Sequence, residues 1–291
     1  MSALTLVVLL LGQAAPVTAP GTEVRALTVT LLDEKDQEVT DVSAADIALA
    51  ENGVSRDITS FKPDRRPVSV AVMVDTSAAV GSAYRLNVVE AVVGLVARLP
   101  DGARYALWTT GDRPTKVVDH TDDRQAAGVA LRLVAPQGGN YLLDAFGEAS
   151  ADLKKLSREG DRTVVVAVTG TGPEFSYRDK YRAAEEAEKN AELFLSVQVD
   201  SGGADFEMRS NLSYVMDRLA RATGGRHEVI LSAMGMDTAL RKLSAHLRSG
   251  YRLAYATLPD LKKRELDLSV ARPGTEVLLP SASAREASGQ P

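Results

Sequence analysis

The chain has 291 residues, room for one large domain or two modest ones, and its 45% hydrophobic and 25% charged content is that of an ordinary globular protein. A net charge of −5, with Lys and Arg spread along the chain, argues against nucleic acid as a partner, because phosphate binding needs a concentrated basic surface. The absence of cysteine excludes disulfides, thiolate nucleophiles and zinc–thiolate sites, and three histidines leave little for a histidine-rich metal centre.

In chain order, MSALTLVVLLLGQAAPVTAPG has a short apolar core followed by small residues. That pattern predicts a secretory signal over residues 1–19, too short in its apolar run to span a bilayer. A buried N-terminal strand is the other reading. No later segment is long and apolar enough to cross a membrane, so the mature protein is expected to be soluble, in the periplasm or secreted. Residues 20–66 read as a β segment. EVRALTVTLLD alternates loosely, DEKDQEV is a polar turn, and two short strands follow with Asn52-Gly53 as a turn signal. The stretch KPDRRP (62–67), rich in Pro and Arg, forms a linker.

From residue 68 buried strands alternate with helices. VSVAVMVD (68–75) is an apolar run ending in Asp75, and residues 85–99 form a helix with apolar residues at 86, 89, 93 and 96. RYALWTT and TKVVDH suit a hairpin around Gly111-Asp112. Residues 123–134 and 141–156 read as helices, TVVVAVTG (163–170) as a second apolar strand, and residues 180–194 as a solvated helix with Arg182 and Glu186 at i,i+4. LFLSVQVD, then a helix over 211–225, the strand HEVIL and a helix over 238–250 complete the alternation. YRLAYATL and ELDLSVARP predict a C-terminal β-hairpin within 251–280, packing with the N-terminal β segment because neither is large enough to fold alone. Residues 281–291 read as a disordered tail. Alternating strands and helices argue for an α/β fold with a largely parallel sheet covered on both faces. Ligands of such sheets sit beyond the carboxyl ends of the strands, which points to the loops after Asp75, around Asn140 and after Thr169.

Three features in those loops, PVSVAVMVDTSAAV, GGNYLLDA and VTG, together with the β lead-in and the block ALRKLSAHLRSGYRLAYATLPDLKKRELDLSVARPG, resemble von Willebrand factor type A domains. The bacterial VWFA-related proteins common in Acidobacteria are the nearest in pattern. The resemblance covers roughly residues 23–280, with the type A-like domain at 67–250. It implies a Rossmann-like, doubly wound, mainly parallel six-stranded sheet with helices on both faces, beside a small β region from the two chain ends. Such domains hold Mg²⁺ or Mn²⁺ through Asp-x-Ser-x-Ser in the first loop, a Thr in the second and an Asp in the third. Mapped onto this chain, those positions are Asp75, Ser77, Ala79, Asn140 and Gly170. Ala79 and Gly170 remove an oxygen outright, and Asn140 offers an amide where the family has a hydroxyl. One carboxylate, one hydroxyl and an amide make a poor cage for Mg²⁺, which gives up its waters reluctantly. The expectation is therefore a degenerate adhesion site without a cofactor, in a non-enzymatic module that binds a protein. The alternative is a metal-dependent adhesion domain keeping Mg²⁺ or Mn²⁺ through Asp75, Ser77 and Asn140.

Other constellations are weaker. Asp119, Asp122 and Asp123 do not match the calcium-loop spacing and suit a helix N-terminus. His120 is expected on the surface, His227 and His246 as structural or exposed, and Trp108 in the core. Gly170-Thr171-Gly172 lacks the length and Lys of a phosphate loop, and Glu174 follows it. Ser77 lacks a nucleophile-elbow context. Asp144 is expected to cap or to face solvent.

Overall fold

The computed structural model describes residues 23–81, 83–170, 172–200, 206–259 and 264–281. The expected signal (1–19), Thr171 and, except for Ser281, the expected tail lie outside the described residues. The alternating N-terminal segment forms β1 (Glu23–Leu32). A 3-10 turn (Ala44–Asp46) leads into β2 (Ile47–Glu51), β3 (Val54–Arg56) and β4 (Ile58–Pro63). Asn52 and Gly53, with φ of 52° and 75°, supply the two positive-φ residues of a tight β2–β3 hairpin.

The apolar run is β5 (Val68–Val74), buried at every position. A π-helical turn (Tyr84–Val88) opens α1 (Val89–Ala97). Next come β6 (Arg104–Thr109), β7 (Thr115–Thr121), α2 (Ala126–Leu133), α3 (Leu142–Leu156), β8 (Arg162–Gly170), α4 (Lys180–Asn190) and β9 (Leu193–Val199). The chain continues through α5 (Phe206–Thr223), β10 (Arg226–Ile230), α6 (Met236–Arg248), β11 (Gly250–Thr257), β12 (Leu266–Val270) and β13 (Glu276–Leu278). The helix expected over 180–194 stops at Asn190. Ala191 is already extended, and Leu193 and Phe194 pair with Val164 and Val165 of β8, so sheet pairing overrides the helical pattern there.

Strands β10-β9-β8-β5-β6-β7 make one six-stranded sheet, parallel except for β7. Period-two side-chain alternation explains why its central strands read as continuous apolar runs. Val70, Val72 and Val74 enter the core shared with α1, α2 and α6, while Ala71 and Met73 enter the one shared with α3, α4 and α5. The fold is thus α/β, with helices on both faces of a mainly parallel sheet. Among the described residues no helix is long and apolar enough to cross a membrane.

The two chain ends meet in a small β region. The strand order is β13-β1-β11-β4 in one sheet and β12-β2-β3 in the other, around a core that includes Val29, Leu31, Leu49, Tyr251, Leu253 and Leu268. The expected C-terminal hairpin does not form. β11 is paired on both edges, by β1 and β4, so β12 has no edge of it to join and pairs with β2 in the second sheet. Arg264, just before β12, donates to Glu51 at 2.7 Å, and both side chains are buried. Ion pairs tie this region to the large sheet. Arg226 of β10 binds Asp36 and Glu276, Lys242 of α6 binds Asp36 at 2.9 Å, and linker residue Arg66 bridges Asp64 and Glu192 at 2.7 and 2.8 Å.

Candidate functional site

Three loops converge at the carboxyl edge of the sheet: those after β5 and β8 follow adjacent parallel strands, and the Asn140 loop, between α2 and α3, is held against them by bridges from Asn140 to Gly111 and Glu174. Asp75 follows the last residue of β5, and its backbone N–H continues the ladder by donating to the Val168 carbonyl at 2.8 Å. Its side chain is buried and surrounded by donors. Oδ1 accepts the Ser77 backbone N–H at 2.8 Å. Oδ2 accepts the Gly170 N–H at 3.0 Å, the Thr169 hydroxyl at 3.1 Å and the Asn140 amide at 3.4 Å. Asn140, fully buried, also donates through Nδ2 to Thr169 Oγ1 at 3.0 Å and accepts the Thr110 hydroxyl on Oδ1 at 2.6 Å. A hydrogen-bond relay therefore runs Thr110, Asn140, Thr169, Asp75, tying the end of β6 to the three loops.

Backbone contacts lace the same loops. Gln137 N–H donates to the Thr76 carbonyl, Ala78 N–H to that of Gly138, and Asn140 N–H to that of Pro173. The five mapped positions thus lie in one neighbourhood. A Cβ placed on Gly170 would stand 3.7 Å from Asp75 Oδ2 and 3.2 Å from Val80 Cγ1. One placed on Gly172 would stand only 2.4 Å from Ala79 Cβ, so the third loop lies directly on the apolar position of the first. Ser77 is buried, and its hydroxyl has no hydrogen-bond partner among the described residues.

Beside Asp75 a cavity of about 450 Å³ opens between the first loop, the π-helical turn and the β10–α6 connection. Its walls include Val80, Leu86, Leu231 and Met234, and Asp75 is the one charged residue among the described residues that line it. Among the described residues no three His, Asp or Glu side chains cluster in a way suited to a metal ion.

The remaining candidates take structural places. Asp144, expected to cap or face solvent, is buried on α3 and accepts the Tyr177 and Arg178 N–H groups, each at 3.0 Å, pinning the loop after β8. Glu174 accepts the Leu142 N–H at 3.3 Å and the Ser176 N–H at 3.1 Å, and burial pushes its carboxyl up to about 7. Asp119 pairs with Lys116 at 3.2 Å, and Asp123 accepts the Gln125 N–H at 2.9 Å ahead of α2. His120 is half-buried rather than on the open surface. His227 contacts Ser196 Oγ through Nδ1 at 2.8 Å, and His246 is fully buried in α6. Trp108 is in the core under α3 and α4. The relay members Thr110 and Thr169 are absent from the mapped metal positions, although Thr169 lies inside the VTG element. Leu86, Leu231 and Met234 carry no sequence signal, since isolated apolar residues far apart in the chain have no shared period.

Residues 70–173 match the family model described as the von Willebrand factor type A domain. No curated protein matches the chain. Among solved structures, a von Willebrand factor type A protein from Catenulispora acidiphila is similar at 12% identity and a TM-score of 0.55, covering 90% of this chain and 73% of its own. The SpRpn10 VWA domain is similar at 15% identity and a TM-score of 0.50, covering 62% of this chain and 97% of its own. Proximal thread matrix protein 1 from the mussel byssus reaches 10% identity and a TM-score of 0.50, with 64% of this chain and 49% of its own covered. Residues 70–173 thus match the von Willebrand factor type A model, and the fold of the chain is similar to that of solved type A structures.

Proposed function

We propose that the protein is a non-enzymatic, extracytoplasmic module that binds a protein partner through the carboxyl edge of its sheet, with no metal ion at the adhesion position. The observation that carries this reading is the set of protein donors around Asp75: among the described residues three meet Oδ2 and one meets Oδ1. A hard divalent cation needs oxygen lone pairs. Here Asn140 turns its amide nitrogen toward Asp75, and Ala79 and Gly170 bring no side-chain oxygen. The residues present do not fit Mg²⁺ or Mn²⁺.

The non-enzymatic part of the reading rests on the likeness to type A domains. Ser196 and His227 do touch, but Ser196 is fully buried and cannot reach a substrate. Export rests on the signal-like residues 1–19, and N-terminal sequencing of exported protein tests it, with loss of about that segment expected. Residues 67–250 form the type A-like unit in this reading, and residues 20–66 and 251–280 are its β companion. Thermal melts in millimolar Mg²⁺ or Mn²⁺ and in chelator are expected to coincide, because an ion that binds only the folded state raises its stability by mass action. One observation favours a second reading, a metal-dependent adhesion domain using Asp75, Ser77 and Asn140: the buried Ser77 hydroxyl has no partner among the described residues. A melt raised by metal in the wild type and not in Asp75→Ala decides for it.

A further inference from the structure

The cavity beside Asp75 joins two features of opposite character. Leu86, Leu231 and Met234 on its walls are 80%, 83% and 81% exposed, an apolar surface left in water. At its floor stands a buried carboxylate with which, among the described residues, no Lys, Arg or His forms an ion pair. The two are connected because position 170 has no side chain. A Cβ there would fill the space between Val80 and Asp75 Oδ2, at 3.2 and 3.7 Å.

An occupant complementary to both features has an unbranched apolar stem and a cationic tip. The stem covers the exposed walls, as Lys and Arg stems do when they lie along apolar surface. The tip meets the Asp75 charge, where low solvent access strengthens the attraction. The geometry at Asp75 selects between the two basic side chains. A guanidinium binds a carboxylate through two parallel bonds and needs both oxygens open. Among the described residues Asp75 Oδ2 accepts three donors and Oδ1 one, so the pair of open oxygens that a guanidinium needs is not there. An ammonium is a point charge that needs a single free lone pair.

We propose that this cavity receives a lysine side chain of the partner protein. The proposal rests on the protein-binding reading above and specifies the chemistry of the partner. It reverses the charge logic of a metal-bearing site, in which a bound cation presents positive charge to the ligand; here the ligand supplies the cation.

The test uses the full chain in chelator and a capped tripeptide, acetyl-Gly-Lys-Gly-amide, titrated by protein-observed NMR. Norleucine and arginine peptides of the same form are the controls. The expected result is perturbation of the Gly170 and Leu231 amides by the lysine peptide, with at least tenfold weaker binding of both controls. Asp75→Asn should remove the preference for lysine over norleucine. Gly170→Val, which blocks the passage while leaving Asp75 unchanged, should abolish lysine binding, and it keeps the test decisive if Asp75→Asn fails to fold. No binding of the lysine peptide, equal binding of norleucine, or lysine binding that survives Gly170→Val overturns the proposal. Because these readouts concern one cavity in chelator, their failure is separable from failure of the metal-free reading, which the melts report.

Discussion

Returning the lost oxygens, by Ala79→Ser, Asn140→Thr and Gly170→Asp together, should create a site that binds Mg²⁺ or Mn²⁺ and is unstable without it. Gly170 is not among the residues with positive φ, so an aspartate there meets no left-handed strain, and only Val80 must yield by a few tenths of an ångström. The new Cβ stands 3.7 Å from Asp75 Oδ2. The carboxylate it carries lies about 4–6 Å from that of Asp75, and two such charges repel by roughly 3–4 kcal/mol at an effective dielectric of 20. The variant in chelator should therefore melt roughly 6–16 °C below the wild type, taking about 2–4 °C per kcal/mol for a domain of this size. An ion at a hundred times its dissociation constant returns about 2.7 kcal/mol. Scanning calorimetry with chelator and with Mg²⁺, and titration calorimetry against wild type, read both effects. A folded triple variant that loses no stability in chelator and binds no ion would refute the reasoning, because the mapped positions would then not share one crevice.

Gly172→Ala forces a methyl to within 2.4 Å of Ala79 Cβ and should cost about 1–3 kcal/mol in urea unfolding, with Ala79→Gly restoring most of it. Burial holds the His246 imidazole at about 3 against an ordinary 6.5, so the unfolded chain takes up the proton first; stability should fall by about 1.4 kcal/mol per pH unit below 6.5. Glu174 slopes the opposite way over the same range, so the limb is read in a Glu174→Gln background. There His246→Leu should flatten it, and a stability level from pH 6.5 to 4.5 with His246 present would contradict it. Glu174 has the opposite sign: raised from 4.5 to about 7, it favours the folded state at low pH, and that contribution is lost as pH rises through 7. Glu174→Gln should remove this decline in a pH series of melts.

The sheet is legible in the sequence because its central strands are buried on both faces, and VSVAVMV and TVVVAVTG have no solvent-facing alternation to confuse with helix. The convergence of Asp75 and Gly170 is legible for a topological reason: β5 and β8 are parallel neighbours and end at one edge. Asn140 lies between α2 and α3 and reaches that edge through bridges to Gly111 and Glu174. Partners of the terminal strands are not. ELDLSV carries the same period whether it pairs with β11 or β2, and the choice depends on β11 being occupied at both edges. Asp144 misleads because a helical acid looks solvated until the loop that donates to it is in place. The cavity is invisible for a related reason, since residues 86, 231 and 234 meet only in three dimensions.

The residue at 140 follows from what must hold three loops together when no ion does. A cation crosslinks loops by attracting lone pairs, so oxygens alone suffice. A hydrogen-bond relay needs donors and acceptors in alternation. A threonine hydroxyl accepts but has a single proton to donate, whereas an asparagine amide accepts and has two. Asn140 uses them in both directions, accepting from Thr110 and donating to Thr169 and Asp75. The two functional readings therefore differ in how Thr110 and Asn140 couple. In a metal-free relay the Asn140 carbonyl belongs to Thr110, and a double-mutant cycle of Thr110→Val with Asn140→Ala should give a coupling of about 0.5–3 kcal/mol in chelator, unchanged by Mg²⁺. If the carbonyl serves an ion, the coupling should shrink when Mg²⁺ is added, as the oxygen turns from Thr110 to the metal. A coupling near zero in both conditions would remove the relay itself, and with it the physical reason for an asparagine at this position.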